Sequence, residues 1–187
     1  MSVATCGAAS EVTPDVATLI RATPAPQDAG DAVSVRIAQS DDDIVAIHRF
    51  MMAHAAAEMA EAEVDAVIYM HTIHDTVTQG AGLIATVGDE IVGYLGLWKS
   101  QYDYAKAFFL HDRGFYVLPA HRDGSVARAL LSNARTIADD ANLSLKIIDT
   151  NPAKKRCATS RVARTAEILG YAPAGRIITY HCPNEAA

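Results

Sequence analysis

The sequence predicts a mixed α/β (α+β) fold: a mainly antiparallel central sheet of six to seven strands flanked by about four helices. Three observations carry this. Segments with strand alternation and segments with helical spacing interleave from about residue 33 to 182, a pattern that packs helices onto a sheet. Residues 82–87 and 90–98 are apolar runs flanking Gly88-Asp89, a dipeptide that closes tight hairpins. Residues 108–131 pass from an aromatic and aliphatic strand, through Pro119 and the polar turn Arg122-Asp123-Gly124-Ser125, into an amphipathic helix.

The elements follow in order. Residues 1–32 are rich in Ala, Thr, Pro and Asp and read as a flexible or loosely docked tail. Within it, Thr13 and Pro14 suit the cap and first position of one short helix. The folded domain, residues 33–187, opens with an alternating strand at 33–38. Ser40 then caps a helix whose start is favoured by Asp41, Asp42 and Asp43, and Ile44, Ile47, Met51 and Ala55 recur at helical spacing. An acidic break over 58–63 separates it from a second helix marked by Val64, Val67, Ile68 and His71 and ending before Gly80. The hairpin follows. A polar loop over 99–106 leads to the central strand, so strands two to four form an antiparallel meander. Val126, Leu130, Ala134, Ile137 and Ala141 line one face of the third helix. Residues 143–148 form a fifth strand, parallel to the fourth because a helix crosses over between them. A fourth helix over 158–169 stops at Gly170, and residues 176–180 close the sheet.

Composition bounds the function. The chain has 187 residues, half of them apolar, with a formal charge of −6 and a pI near 5.6, which argues against a broad nucleic-acid or anionic-membrane footprint. Cys6, Cys157 and Cys182 form neither a Cys-x-x-Cys pair nor an even disulfide set, so a reducing, cytoplasmic setting is expected. No apolar run reaches the ~18 residues of a membrane span, and the N-terminus lacks the pattern of a signal peptide. No metal site is expected, since His71 and His74 lack the further ligands zinc needs.

The strand, turn and helix start at residues 117–131 are suited to an anion, because the first amides of a helix lack internal acceptors and carry partial positive charge. Val117-Leu118-Pro119, then Arg122, Gly124, Ala127 and Leu130-Leu131 resemble the acyl-CoA-binding motif of the GNAT acetyltransferase superfamily, Q/R-x-x-G-x-G/A after a strand ending in Val-x-Pro. Ser125 stands where the central glycine belongs, and the glycine comes one residue early. An Arg-x-Gly variant of this turn occurs in GNAT-like proteins encoded by phages. The order of elements over residues 33–182 is also that of the GNAT fold.

The resemblance implies an acetyl-CoA-dependent N-acetyltransferase, moving an acetyl group to a primary amine by direct transfer in a ternary complex. It places Val117, Arg122, Asp123, Gly124, Ser125, Val126, Ala127, Arg128 and Asn151 at the donor; Asn151 equally suits an ordinary Asn-Pro turn. Eleven positions before Arg122, where relatives carry a glutamate base, stand His111 and its neighbour Asp112. An imidazole is a ready proton acceptor at neutral pH, a carboxylate only if its pKa is raised; a histidine merely packed in the strand is the competing reading. Gly114 marks a bulge that decides which of the two faces the cleft. The tyrosine that often serves as general acid is replaced by Ala166, and Tyr171 reads as core. His74, Trp98 and Tyr102 would border the acceptor, a small molecule or a protein amine. Lys154, Lys155, Arg156, Arg161 and Arg164 make the fourth helix region basic, as a phosphate contact or as a solvated face. Ala166 and Ser125 also fit a second reading, a catalytically degenerate acyl-CoA-binding or regulatory module. The outer strands suit a homodimer.

Overall fold

A computed structural model describes residues 33–59, 63–147 and 161–171. Strand β1 (Ser34–Ile37) is followed by α1 (Asp41–Phe50), a π-helical turn (Met51–Ala55) and the short α2 (Ala56–Met59). Next come α3 (Ala66–Gln79), β2 (Ala81–Val87), β3 (Glu90–Gln101) and β4 (Phe108–Val117). A 3-10 turn (Pro119–His121) leads to α4 (Ser125–Asp140), β5 (Ser144–Lys146) and α5 (Arg161–Ile168). The strand order is β1-β2-β3-β4-β5. All neighbours are antiparallel except β4 and β5, which are parallel as their helical crossover requires.

Five strands rather than six or seven are therefore present among the described residues. The expected strand at 176–180 lies outside them, as do the tail at 1–32 with its Thr13-Pro14 helix start, and the basic residues Lys154, Lys155 and Arg156. Two boundaries differ from the expectation. The acidic break begins later, because Glu58 is still helical. The 99–106 loop is shorter, because Lys99, Ser100 and Gln101 pair with Leu110, Phe109 and Phe108 and carry β3 onward.

Local chemistry explains the element starts. Ser40 Oγ accepts from the Asp43 amide at 3.1 Å while Asp43 Oδ2 accepts from the Ser40 amide at 3.3 Å, a reciprocal capping box. Asp43 also takes Arg36 Nη2 at 2.5 Å, pinning α1 to β1. In the hairpin the positive φ, 57°, falls on Gly88, where a side chain would be strained.

The helices divide between the two faces of the sheet. On one, α1, the π-helical turn and α3 cover Ile84, Tyr94 and Tyr116 with Ile44, Ile47, Phe50, Met51 and Ile73. On the other, α4 and α5 cover Leu83, Leu95, Leu97 and Val117 with Val126, Leu130, Leu131 and Ala166.

Two features of β4 position the site. Leu95 pairs with Phe115 and Leu97 with Asp112, so Arg113 and Gly114 together oppose Gly96; this is a bulge, with Gly114 at φ 138°. The pairing of β4 with β5 runs over Phe109, Leu110 and His111 only. Beyond His111 the outer edge of β4, from Asp112 to Val117, has no paired strand among the described residues.

Candidate active site

The outer edge of β4, unpaired among the described residues, leads directly to the glycine turn and the start of α4. Gly124 has φ 106° and its carbonyl accepts from the Arg128 amide at 3.0 Å, so the first turn of α4 begins on that glycine. Val126 and Ala127 are buried; they root the helix start in the sheet and leave only their backbone to a ligand. Ser125 and Arg128 are exposed. Asp123 Oδ1 accepts from the Ser125 amide at 2.9 Å and from Ser125 Oγ at 2.7 Å, bonds that hold its carboxyl below the usual carboxylate range. Thr165, which sequence reasoning missed, places Oγ1 3.9 Å from where a Cβ on Gly124 would stand. Asn151 lies outside the described residues.

Arg122 turns its side chain away from the helix start. Its Nε donates to the Val117 carbonyl at 2.8 Å, and Nη1 and Nη2 grip Glu58 Oε1 and Oε2 at 2.6 and 2.7 Å. Tyr116 donates its hydroxyl to the same Glu58 Oε2 at 2.8 Å. The fork geometry is the strong, bidentate form of a charge-assisted bond. Burial, then Glu58, push the Tyr116 phenol up. In an extended strand a residue's N–H and C=O point to the same side. Arg122 takes the Val117 carbonyl, and the neighbouring Leu118 amide is the one bonded to β3, at Val92. The Val117 N–H therefore points away from β3, toward the outer edge.

His111 stands where β5 leaves β4. Its Nδ1 is 2.9 Å from the Asp112 carbonyl and its Nε2 is 3.0 Å from Ser100 Oγ. A carbonyl only accepts, so these partners assign the proton to Nδ1; in the neutral ring Nε2 is then the acceptor and Ser100 donates to it. The bulge puts His111 on the α1/α3 face, opposite Trp98, and Asp112 on the α4 face, opposite Leu97. The two candidates for the base are thus separated by the sheet.

Trp98 and Tyr102 lie on the His111 side. The Arg113 guanidinium is 4.5 Å from the Trp98 ring centroid. Tyr102 packs on Phe109 at 4.6 Å, and Lys146 Nζ lies 3.9 Å from the Phe109 centroid and 4.2 Å from that of Tyr102. His74 is on the exposed side of α3, with Nδ1 3.4 Å from Asp75 Oδ1, and no described contact joins it to this group. Ala166 is buried against α4. Tyr171 donates its hydroxyl to the Leu131 carbonyl at 2.9 Å, and burial pushes its pKa up to about 12, so it belongs to the core.

Glu58, Ser100, Arg113 and Lys146 were missed in the sequence. The alternation of β3 and β4 carries a signal for Ser100 and Arg113, which share a face with Trp98 and His111. Glu58 had none, because its partner is distant along the chain. Among the described residues no group of three or more His, Cys, Asp or Glu is placed to hold a metal, and no helix is long and apolar enough to cross a membrane.

Residues 78–167 match the family model of the acetyltransferase (GNAT) domain. Among solved structures, one described as a possible acetyltransferase from Clostridium difficile 630 is 20% identical, with 81% of this chain and 98% of that chain covered and a TM-score of 0.58. A ribosomal-protein-alanine N-acetyltransferase from Brucella melitensis biovar Abortus 2308 is 16% identical over 81% of this chain and 98% of its own, with a TM-score of 0.59. One described as a predicted acetyltransferase with acetyl-CoA, from Clostridium acetobutylicum, is 12% identical over 80% of this chain and 96% of its own, with a TM-score of 0.56. At these identities the likeness is one of fold. No curated protein matches the chain.

Proposed function

We propose that the protein, whose residues 78–167 match the GNAT acetyltransferase domain within a chain of GNAT-like fold, transfers an acetyl group from acetyl-CoA to a primary amine in a ternary complex. One observation carries the reading: among the described residues no strand pairs with the edge of β4 from Asp112 to Val117, which runs between His111, paired to β5, and the N-terminus of α4.

The residues present fit the donor. The amides at the start of α4 suit its pyrophosphate, with the Thr165 hydroxyl and the exposed Arg128 beside them. The outward Val117 N–H suits an amide of its pantetheine arm or the developing oxyanion. When bound, acetyl-CoA supplies an activated acyl carbon: the amine nitrogen bonds to it, the carbon–sulfur bond breaks, and the thiolate departs.

The chain's own residues order this step. The Asp112 carbonyl fixes the His111 tautomer, so Nε2 takes the proton that the amine loses once the Ser100 hydroxyl swings aside. His111 is preferred to Asp112 because it lies beside the uncovered aromatic group, on the face away from α4. Ala166 offers no acid, so water protonates the thiolate.

A second reading, an acyl-CoA-binding module without turnover, draws on Asp123 and Ala166: a carboxylate holds the first amide of α4, and the usual acid is missing. Calorimetric titration of acetyl-CoA into the wild type and Ser125→Glu separates the possibilities. Saturable binding that is lost in the variant supports the donor site, and no binding to the wild type overturns it. With binding in hand, a screen of primary amines for thiol release decides between enzyme and module. On the enzyme reading, His111→Ala lowers kcat by about 10²–10⁴, the range of a general base, whereas binding with no turnover of any amine favours the module.

A further inference from the structure

We propose that the acceptor is a primary amine that also carries a flat ring and an anionic group, carboxylate or phosphate, bound on the exposed end of the α1/α3 face of β3, β4 and β5. The proposal rests on the acetyltransferase reading above and names the chemistry of its second substrate.

The register builds this surface. Trp98 pairs with His111 and His111 with Lys146, while Ser100 pairs with Phe109. Residues paired across strands share a face, so these five side chains form one group around the His111 ring. Ring contacts extend it. Phe109 lies 5.9 Å from His111, Tyr102 lies 4.6 Å from Phe109, and Tyr104 lies 5.4 Å from Tyr102. Among the described residues no helix covers this end of the face. Trp98, Tyr102 and Phe109 stay partly exposed and Lys146 and Tyr104 exposed, whereas Ile84, Tyr94 and Tyr116 at the other end are buried under α1 and α3. The turn over Gln101–Lys106 adds a shallow, open hollow of about 450 Å³ beside Tyr102 and Tyr104.

Charge decides which ligand fits. Arg113 and Lys146 stand on this face, each with its cationic group over a ring. Neither is in an ion pair among the described residues. The bordering turn carries one acidic group, Asp103, and one basic group, Lys106; Asp112 is on the opposite face. On a chain of net charge −6, this is a local cationic surface beside the proposed base. A guanidinium and an ammonium held in place are the donors that bind a carboxylate or phosphate. Partly exposed rings between them accept a flat, apolar body by offset stacking. A polycationic amine would meet like charge instead.

The test uses the full-length protein with saturating acetyl-CoA and two sets of amines that differ in the anionic group: phenylalanine against its amide and phenethylamine, and pyridoxamine 5′-phosphate against pyridoxamine. The expected result is a kcat/KM at least about tenfold higher for the anionic member of one set, and which set responds tells carboxylate from phosphate. Lys146→Glu and Arg113→Glu should each lower that anionic-to-neutral ratio by about tenfold, the size of one well-placed charge pair. Lys146→Gln gives the same readout, in smaller measure, should a charge reversal fail to fold. An acetyl-CoA titration on each variant keeps donor binding apart from acceptor choice. Preference for the neutral or a cationic amine, or a ratio that Lys146→Glu and Lys146→Gln leave unchanged, overturns this proposal while the acetyltransferase reading stands. No acetyl-CoA binding, or no turnover of any amine, overturns both.

Discussion

Asp123 sets the most local limit on the donor site. Its carboxylate holds the Ser125 amide and hydroxyl, the first groups of α4 that a phosphate would seek, and it carries the charge sign of that phosphate. An incoming pyrophosphate therefore has to displace it. Replacing Asp123 with Ala should tighten acetyl-CoA binding by a few-fold, an advantage that shrinks with added salt as the repulsion is screened. Calorimetry at low and high salt reads both effects, and affinity that is unchanged or weaker in the variant would show that the carboxylate supports the turn rather than competing for it. The same few residues show where sequence reading stops. The Gly124 turn was legible because a φ of 106° and a strand-to-helix change leave marks in adjacent residues. The Glu58–Arg122 pair was not, since its members are 64 positions apart and only the finished fold brings them together.

At the scale of elements, the start of α1 has an electrostatic stability that can be tested by pH. Arg36, with help from the Gln39 and Ser40 amides, lowers the Asp43 pKa from 3.8 to about 2. A carboxyl with a depressed folded-state pKa stabilises fully above its unfolded value, and the contribution fades as pH falls toward the folded one. The stabilisation is thus present above about pH 4 and gone by about pH 2. The Asp43 side chain is 12% exposed but Arg36 is 50% exposed, so solvent screening trims the effect to about 1–2 kcal/mol. Asp43→Asn should lose this in urea denaturation at pH 7, with the gap to wild type closing near pH 2; a gap equal at both would mean packing, not charge, is responsible. The Ser40 cap and the acidic first turn announced this helix in the sequence. The π-helical turn at Met51–Ala55 did not announce itself in the spacing of apolar residues; it lies where Phe50 packs on Tyr116 and Met51 approaches Gly114. Likewise Gly114 signalled a bulge, yet only the register of β3 against β4 showed which face His111 takes and which Asp112.

Across the whole molecule, element order was readable because alternation, helical spacing and turn residues are written over short windows. The site is a product of long-range register, which is why Ser100 and Lys146 joined His111 only in the structure. The same long-range character links the donor site to stability. A ligand laid along the outer edge of β4 and against α4 would bridge the strand and the helix, and binding to the folded state alone stabilises it by mass action. At a concentration 100 times its Kd, acetyl-CoA should add about 2.7 kcal/mol, and for a chain of this size that raises Tm by about 5–10 °C. Differential scanning fluorimetry across a concentration series measures it. Ser125→Glu should unfold near the wild-type temperature without ligand, because Ser125 is exposed, yet show no ligand-dependent rise. A rise of equal size in the variant would mean that the ligand binds away from the start of α4, and the donor would then have to be sought on another surface of the chain.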